Sequence, residues 1–272
     1  MIRFDHVHKR FPDGTVAVAD FSLEVPSHQV GVLLGSSGCG KTTLLRMVNR
    51  MVDPTSGAVW IDDVKATDLD PVALRRRIGY VMQSAGLLPH RTVADNVATV
   101  PLLEGADRRT AHRRAHELLE LVGLDAGSLA RRYPSQLSGG QRQRVGVARA
   151  LASDPNILLM DEPFGAVDPV VRRDLQHELL RIQSELGKTI VFVTHDVDEA
   201  FLLGDEILVL RTGAEIAQSG TAEQIMAHPA DDFVAEFIGG ARRRLHTEDR
   251  DGVLAVVDAD GRLTGYAEDW AG

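Results

Sequence analysis

The chain has 272 residues, of which 44% are hydrophobic and 25% charged, and its formal net charge is −9. That much apolar material excludes wholesale disorder, and the acidic balance argues against a nucleic-acid binder that works by neutralising phosphates. One cysteine, Cys39, excludes an internal disulfide and a multi-cysteine metal site.

At the N-terminus, Met1-Ile2-Arg3-Phe4-Asp5 lacks the apolar segment of a signal peptide. The longest apolar runs, at 157–160 and 189–193, fall far short of the roughly 18 residues that span a bilayer. The chain therefore reads as cytoplasmic and soluble, and membrane work would need a separate embedded partner. Arginine pairs such as Arg108-Arg109 and Arg113-Arg114 are interleaved with Asp and Glu, so they read as solvated helix faces and not as a nucleic-acid patch.

In chain order, Ile2, Phe4, His6 and Val7 roughly alternate, and Val16–Val25 repeats the pattern beyond a turn at Pro12-Asp13-Gly14. This predicts a small antiparallel sheet. Val30-Gly31-Val32-Leu33-Leu34 reads as a buried parallel strand feeding a helix over about 41–50. A turn is expected at 54–57, followed by a strand over 58–61.

Between that strand and helix lies Gly35-Ser36-Ser37-Gly38-Cys39-Gly40-Lys41-Thr42, which fits the phosphate-binding pattern G-x-x-x-x-G-K-[ST]. Glycines let backbone N–H groups converge on an anion, and the following helix turns its positive end to the same point. Lys41 is expected to neutralise the β/γ-phosphates and the Thr42 hydroxyl to hold Mg²⁺. Cys39 admits two readings, a small spacer or a thiol activated by the helix N-terminus, alkylated readily and protected by MgATP.

From about 87 to 152 the pattern turns helical, with Ala111, Ala115, Leu118, Leu119 and Val122 at helical spacing over 110–122 and a stop at Gly123. Leu137-Ser138-Gly139-Gly140-Gln141 opens a further helix, Gly139–Leu151. By average usage that pentapeptide arises by chance in on the order of one chain in a few thousand, so it carries weight. Strands return at 157–160, 189–193 and 206–210. Alternating strands and helices predict an α/β fold with a mostly parallel core sheet and an inserted helical subdomain.

Ile157-Leu158-Leu159-Met160-Asp161-Glu162 delivers two carboxylates at the C-terminal end of a strand, where ligands of open α/β sheets lie. Asp161 suits Mg²⁺, and Glu162 suits orienting or deprotonating an attacking water.

With both the glycine loop and the Leu137–Gln141 stretch, residues 1–240 resemble the ATPase subunit of an ATP-binding-cassette (ABC) transporter. The resemblance implies a P-loop NTPase fold with an N-terminal antiparallel β subdomain and a helical signature subdomain. It implies ATP and Mg²⁺ as ligands, held by the loop from Gly35 through Ser36, Ser37, Gly38, Cys39, Gly40, Lys41 and Thr42 to Thr43. It makes His195 the switch histidine at the γ-phosphate and Gln83 the glutamine that reaches Mg²⁺ and the water beside the permease. Asp168 would lie on the loop that reports across a dimer, with Val167 where leucine is usual. Phe11 would stack on adenine in place of the common tyrosine. Ser138, Gly139, Gly140 and Gln141 would meet the ATP held by another copy. One of each motif per chain implies a homodimer with two ATP sites, placed peripherally on the inner face of the membrane under permease subunits.

Asn49–Gly57, Arg77–Gln83, Gly86–His90 and 189–200 are similar to importers of quaternary-ammonium osmoprotectants (glycine betaine, choline, carnitine, proline), which are fed by an extracytoplasmic solute-binding protein. Amino-acid and polyamine importers share much of this wording, and a soluble non-transport ABC ATPase is the alternative from another class. Residues 241–272 look like a truncated piece of a cystathionine-β-synthase-type (CBS) module, with one β-hairpin over 253–265.

Overall fold

In a computed structural model, the structure describes residues 1–165, 167–239, 246–250, 253–257 and 263–266; at Val170, Val171 and most of the residues beyond 245 it describes the backbone alone. Strands β1 (Ile2–Arg10) and β2 (Val16–Val25) form the expected antiparallel pair. Strand β3 (Val30–Gly35) is buried along its whole length and ends in the glycine loop that starts α1 (Lys41–Val48). Helix α1 stops two residues before the predicted end, because Arg50 takes a positive φ of 54°. Strand β4 (Ser56–Ile61) begins two residues earlier than expected and pairs with β1 and with β5 (Val64–Lys65). Gly57 allows this start: its φ is +78°, and a Cβ there would lie 2.1 Å from His6 O.

Helix α2 (Pro71–Arg77), capped by Asp70, leads into β6 (Ile78–Val81). A helical unit follows: α3 (Val93–Val97), α4 (Thr99–Leu103), α5 (Arg108–Leu121), α6 (Ala126–Leu129) and α7 (Gly139–Leu151). Helix α5 starts two residues before the apolar pattern because Asp107 accepts from Thr110 N and sets the first turn. Then come β7 (Ile157–Asp161), α8 (Pro169–Leu186), β8 (Thr189–Thr194), α9 (Val197–Leu203), β9 (Glu206–Arg211), β10 (Glu215–Gly220), α10 (Ala222–Ala227) and α11 (Asp232–Phe237).

The central sheet has the order β10-β9-β3-β8-β7-β6, parallel except for β10. Alternation along its strands divides the core in two. Val32, Leu34, Leu158, Met160, Ile190 and Phe192 face the helical side, where they meet residues of α5, α7 and α8. Leu33, Leu159, Val191 and Val193 face the other side and pack with Leu44, Leu45 and Val48 of α1 and with the antiparallel sheet. Each such fully buried side chain contributes about 1.5–3 kcal/mol.

Strands β11 (His246–Arg250), β12 (Val253–Val257) and β13 (Leu263–Tyr266) form a separate three-stranded antiparallel sheet. The expected hairpin over 253–265 is therefore two thirds of this unit. The extra strand reads HTEDR, too polar to show as a strand in the sequence.

Candidate nucleotide site

Sheet order decides what meets here. The C-terminal ends of β3, β8, β7 and β6 lie side by side, delivering Gly35, Thr194-His195, Asp161-Glu162 and Val81-Met82-Gln83 to one edge. Leu34 is level with Thr194, and Asp161 with Val193. Such an edge is where ligands bind in open α/β sheets.

The glycine loop wraps the N-terminus of α1. Gly40 has φ +117°, and a Cβ there would sit 2.4 Å from Ala17 O, while one on Gly35 would sit 2.7 Å from Leu210 O. Lys41 is buried, with Nζ donating to Gly35 O at 2.7 Å and Ser36 O at 2.9 Å. Ser36, Ser37 and Gly38 are exposed, and Thr42 and Thr43 are half-buried. Cys39 is only 1% exposed and belongs to the hydrophobic core. This overturns the readily alkylated thiol; the small, buried spacer is the reading that fits.

Thr42 Oγ1 donates to Asp161 Oδ1 at 2.8 Å, and Tyr80 OH lies 3.4 Å from Asp161 Oδ2. Asp161 is 7% exposed; burial pushes its carboxyl above the usual carboxylate range, opposed by the Thr42 hydrogen bond and the Arg46 charge. A buried, under-compensated carboxylate beside a hydroxyl is an oxygen donor set suited to Mg²⁺. Among the described residues no cluster of three His, Cys, Asp or Glu side chains exists that could hold a metal.

Glu162 is the junction of the site. It holds a φ of +44°, its N–H donates to Val193 O at 2.9 Å, and its Oε2 accepts from Gln83 Nε2 at 3.2 Å. The same oxygen lies 3.2 Å from His195 Nδ1, on a ring that is 53% exposed. Strain of this kind persists only where the surroundings hold it, and it gathers at functional sites.

Lys41, Thr42, Thr43, Gln83, Glu162, Ser37, Gly38 and Gly40 line one open cavity of about 300 Å³. Ala17 lines it too, a contributor that nothing in the sequence marks. Phe11, Ser138, Gly139, Gly140, Gln141 and Asp168 are not part of its lining. Phe11 is half-buried outside both core clusters, with Lys9 Nζ 5.3 Å from its ring centre. Ser138 caps α7 in a reciprocal box: its Oγ accepts from Gln141 N at 3.2 Å while Gln141 Oε1 accepts from Ser138 N at 3.0 Å. Ser138 and Gly139 are exposed, and Gly140 and Gln141 half-exposed. Sequence reasoning also missed Tyr80, whose contact with Asp161 depends on β6 lying beside β7.

The fold and this edge define a P-loop nucleotide-hydrolase class: a mostly parallel core sheet, an antiparallel N-terminal sheet and an inserted helical unit. The sequence profile of the ABC transporter family matches residues 18–165, more than half of the chain. The chain belongs to the ABC transporter family.

Among curated relatives, it is 49% identical to the glycine betaine uptake system ATP-binding protein YehX of Escherichia coli, covering 98% of this chain and 86% of that one. It is 48% identical to the carnitine transport ATP-binding protein OpuCA of Listeria monocytogenes, covering 89% of this chain and 60% of that one. The osmoprotectant import ATP-binding protein OsmV of Salmonella typhimurium is 47% identical, with 89% and 64% covered. The chain thus spans about 60% of the length of OpuCA and of OsmV. A solved dimeric ATP-binding cassette, MJ0796 bound to ADP and Pi, superposes with a TM-score of 0.75 at 34% identity, covering 81% of this chain and 98% of that one. No described helix is long and apolar enough to cross a membrane.

Proposed function

We propose that this chain is the ATP-hydrolysing subunit of an importer for a quaternary-ammonium or amino-acid-type osmoprotectant. The observation that carries the hydrolytic reading is Glu162, with Gln83 and His195 each 3.2 Å from its Oε2 at the mouth of the Lys41–Thr42 cavity. In this reading Lys41 and the N–H groups of residues 36–43 hold the phosphates. Thr42, Asp161 and Gln83 would hold Mg²⁺, which when bound neutralises charge on the phosphate oxygens. Glu162 orients and deprotonates water, while His195 contacts the terminal phosphate and keeps the Glu162 carboxylate in place. Phe11 offers its ring to adenine, which stacking alone discriminates weakly.

Two copies enter this reading because the cavity is open and none of Ser138, Gly139, Gly140 and Gln141 lines it. The α7 N-terminus, with Ser138 and the N–H groups of Gly139 and Gly140, points its positive end outward on a different subdomain. Facing the cavity of a second copy, it meets a triphosphate well and a diphosphate less well, so hydrolysis loosens the pair. Asp168 would report across that interface. The relatives that are named for osmoprotectant transport support the solute class. In this reading the chain sits peripherally on the inner membrane face, under permease subunits fed by an external binding protein. The permease would sit in a cleft of about 240 Å³ lined by Met51, Tyr80, Met82, Val100 and Arg149, next to Gln83 in the chain.

The test is Glu162→Gln. ATP should still bind, turnover should fall by on the order of a hundredfold or more, and light scattering should show the chain accumulating as an ATP-dependent pair. Full-speed turnover by a chain that stays single would refute the sandwich.

A further inference from the structure

Arg172 lies in the first turn of α8 and joins two loops that are remote in sequence. Its backbone N–H donates to Asp168 O at 2.8 Å, as any residue in the first helical turn can, while its side chain reaches the same loop with Nη2 donating to Val167 O at 3.5 Å. On the other side Nη1 donates to Asp196 Oδ2 at 3.3 Å, and Nε stands 3.8 Å from Glu199 Oε1.

Both acidic partners grip the turn that carries His195. Asp196 Oδ1 caps α9 by accepting from Asp198 N and Glu199 N. Thr194 Oγ1 donates to Glu199 Oε2 at 2.7 Å and accepts from Asp196 N at 3.0 Å. The residues on either side of His195 are therefore bound into one network with the Arg172 guanidinium. Glu199 is 4% exposed, a position that a carboxylate does not occupy without a partner. Arg172 Nε is buried, at ion-pair distance but without a hydrogen bond.

We propose that Arg172 is a positioning residue that holds the Asp168 loop and the His195 turn as one rigid unit. Approach of a second copy to the Asp168 loop thereby sets where His195 meets the terminal phosphate. This rests on the two-copy reading above. A planar fork is needed, because two carboxylates and a carbonyl lie in different directions; a lysine ammonium offers charge but not that geometry.

The experiment is steady-state ATPase kinetics of the full chain carrying Arg172→Gln, Arg172→Lys, Glu199→Gln, or Arg172→Gln together with Glu199→Gln, with ATP-dependent pairing measured in the Glu162→Gln background. Arg172→Gln should lower kcat by about tenfold or more and leave KM for ATP within about twofold, since no ligand-lining group changes. Arg172→Lys should recover part of the loss. Arg172→Gln with Glu199→Gln should cost no more than the larger single change, the mark of one shared unit. Pairing of the Glu162→Gln chain should survive the added Arg172→Gln. Unchanged kcat, a rise in KM alone, or additive losses would each overturn the proposal. Should Arg172→Gln fail to fold, Glu199→Gln cuts the same tie from the other side, and wild-type kcat there is equally fatal. If Glu162→Gln alone does not pair, the two-copy reading fails and the proposal with it; loss confined to the Arg172 variants leaves that reading intact.

Discussion

Thr42 Oγ1 donates to Asp161 Oδ1 at 2.8 Å, although 119 positions separate the two residues. The bond joins the first turn of α1 to the end of β7, two of the three pieces of chain proposed to offer oxygen to a cation. Asp161→Asn should keep this contact, because the amide oxygen still accepts. Burial raises the Asp161 carboxyl, so its ionised form costs stability once pH passes its ordinary value of 3.8, and the full cost is present above the raised one. Removing the charge should therefore leave the nucleotide-free melting temperature at pH 7 equal or higher. Hydrolysis should fall by on the order of a hundredfold or more, and MgATP should no longer stabilise the chain beyond ATP with EDTA. A marked loss of nucleotide-free stability would contradict this account.

The signature helix allows a separation of binding from turnover. Ser138 is exposed, so a longer side chain is sterically tolerated there within a single copy. Ser138→Arg should leave nucleotide affinity of the Lys41 loop within a few-fold by fluorescent-nucleotide titration, abolish turnover, and cost about 1 kcal/mol through the lost cap. Persistent turnover would show that α7 does not close a neighbour's site.

Gly40 is a backbone requirement. Its φ of +117° and the 2.4 Å approach of a Cβ to Ala17 O mean that Gly40→Ala strains the loop in two ways. Unfolding free energy should drop by about 2 kcal/mol or more, with phosphate affinity lost alongside. Gly38, with open space around its Cβ position, should be the milder substitution despite its φ of +81°. Equal effects at both sites would mean that packing against Ala17 is unimportant.

Asp95 supplies a pH test away from the site. It caps into α3 with Thr92 and reaches α5 through His112 Nε2 at 2.9 Å. The Thr92 hydroxyl, then His112 and Arg108, hold its carboxyl below its ordinary 3.8. A lowered carboxyl stabilises the fold above that ordinary value and loses the contribution as pH falls through the folded one. Asp95→Asn should cost about 1 kcal/mol at pH 7, reduced by its partial exposure. The gap between variant and wild-type urea midpoints should close toward pH 3. A gap independent of pH would assign the cost to packing.

The tail offers a deletion. Strands β11, β12 and β13 hydrogen-bond only to one another in the described sheets. Removing 241–272 should leave basal ATPase activity within about twofold. The match to YehX runs over 98% of this chain and so includes this region. A large loss of basal turnover would make the tail part of the cassette.

Short motifs were legible in the chain because their chemistry is local. A glycine loop before a helix, an apolar strand ending in Asp161-Glu162, and the Leu137–Gln141 stretch that opens a helix each carry their signal in consecutive residues. Resemblance added His195, Gln83, Asp168 and Phe11, none of which spacing alone singles out. Tertiary structure decided which of them meet. The order β3-β8-β7-β6 brings Gln83 and His195 to the same Glu162 oxygen and Thr42 to Asp161, while Ser138–Gln141 stay outside the cavity lining. Arg172 was invisible in the sequence, since an arginine in a polar helix means nothing until two loops are seen on either side of it. Of the two readings the sequence left open for Cys39, burial decided for the small spacer, and burial depends on tertiary packing that no run of neighbouring residues encodes.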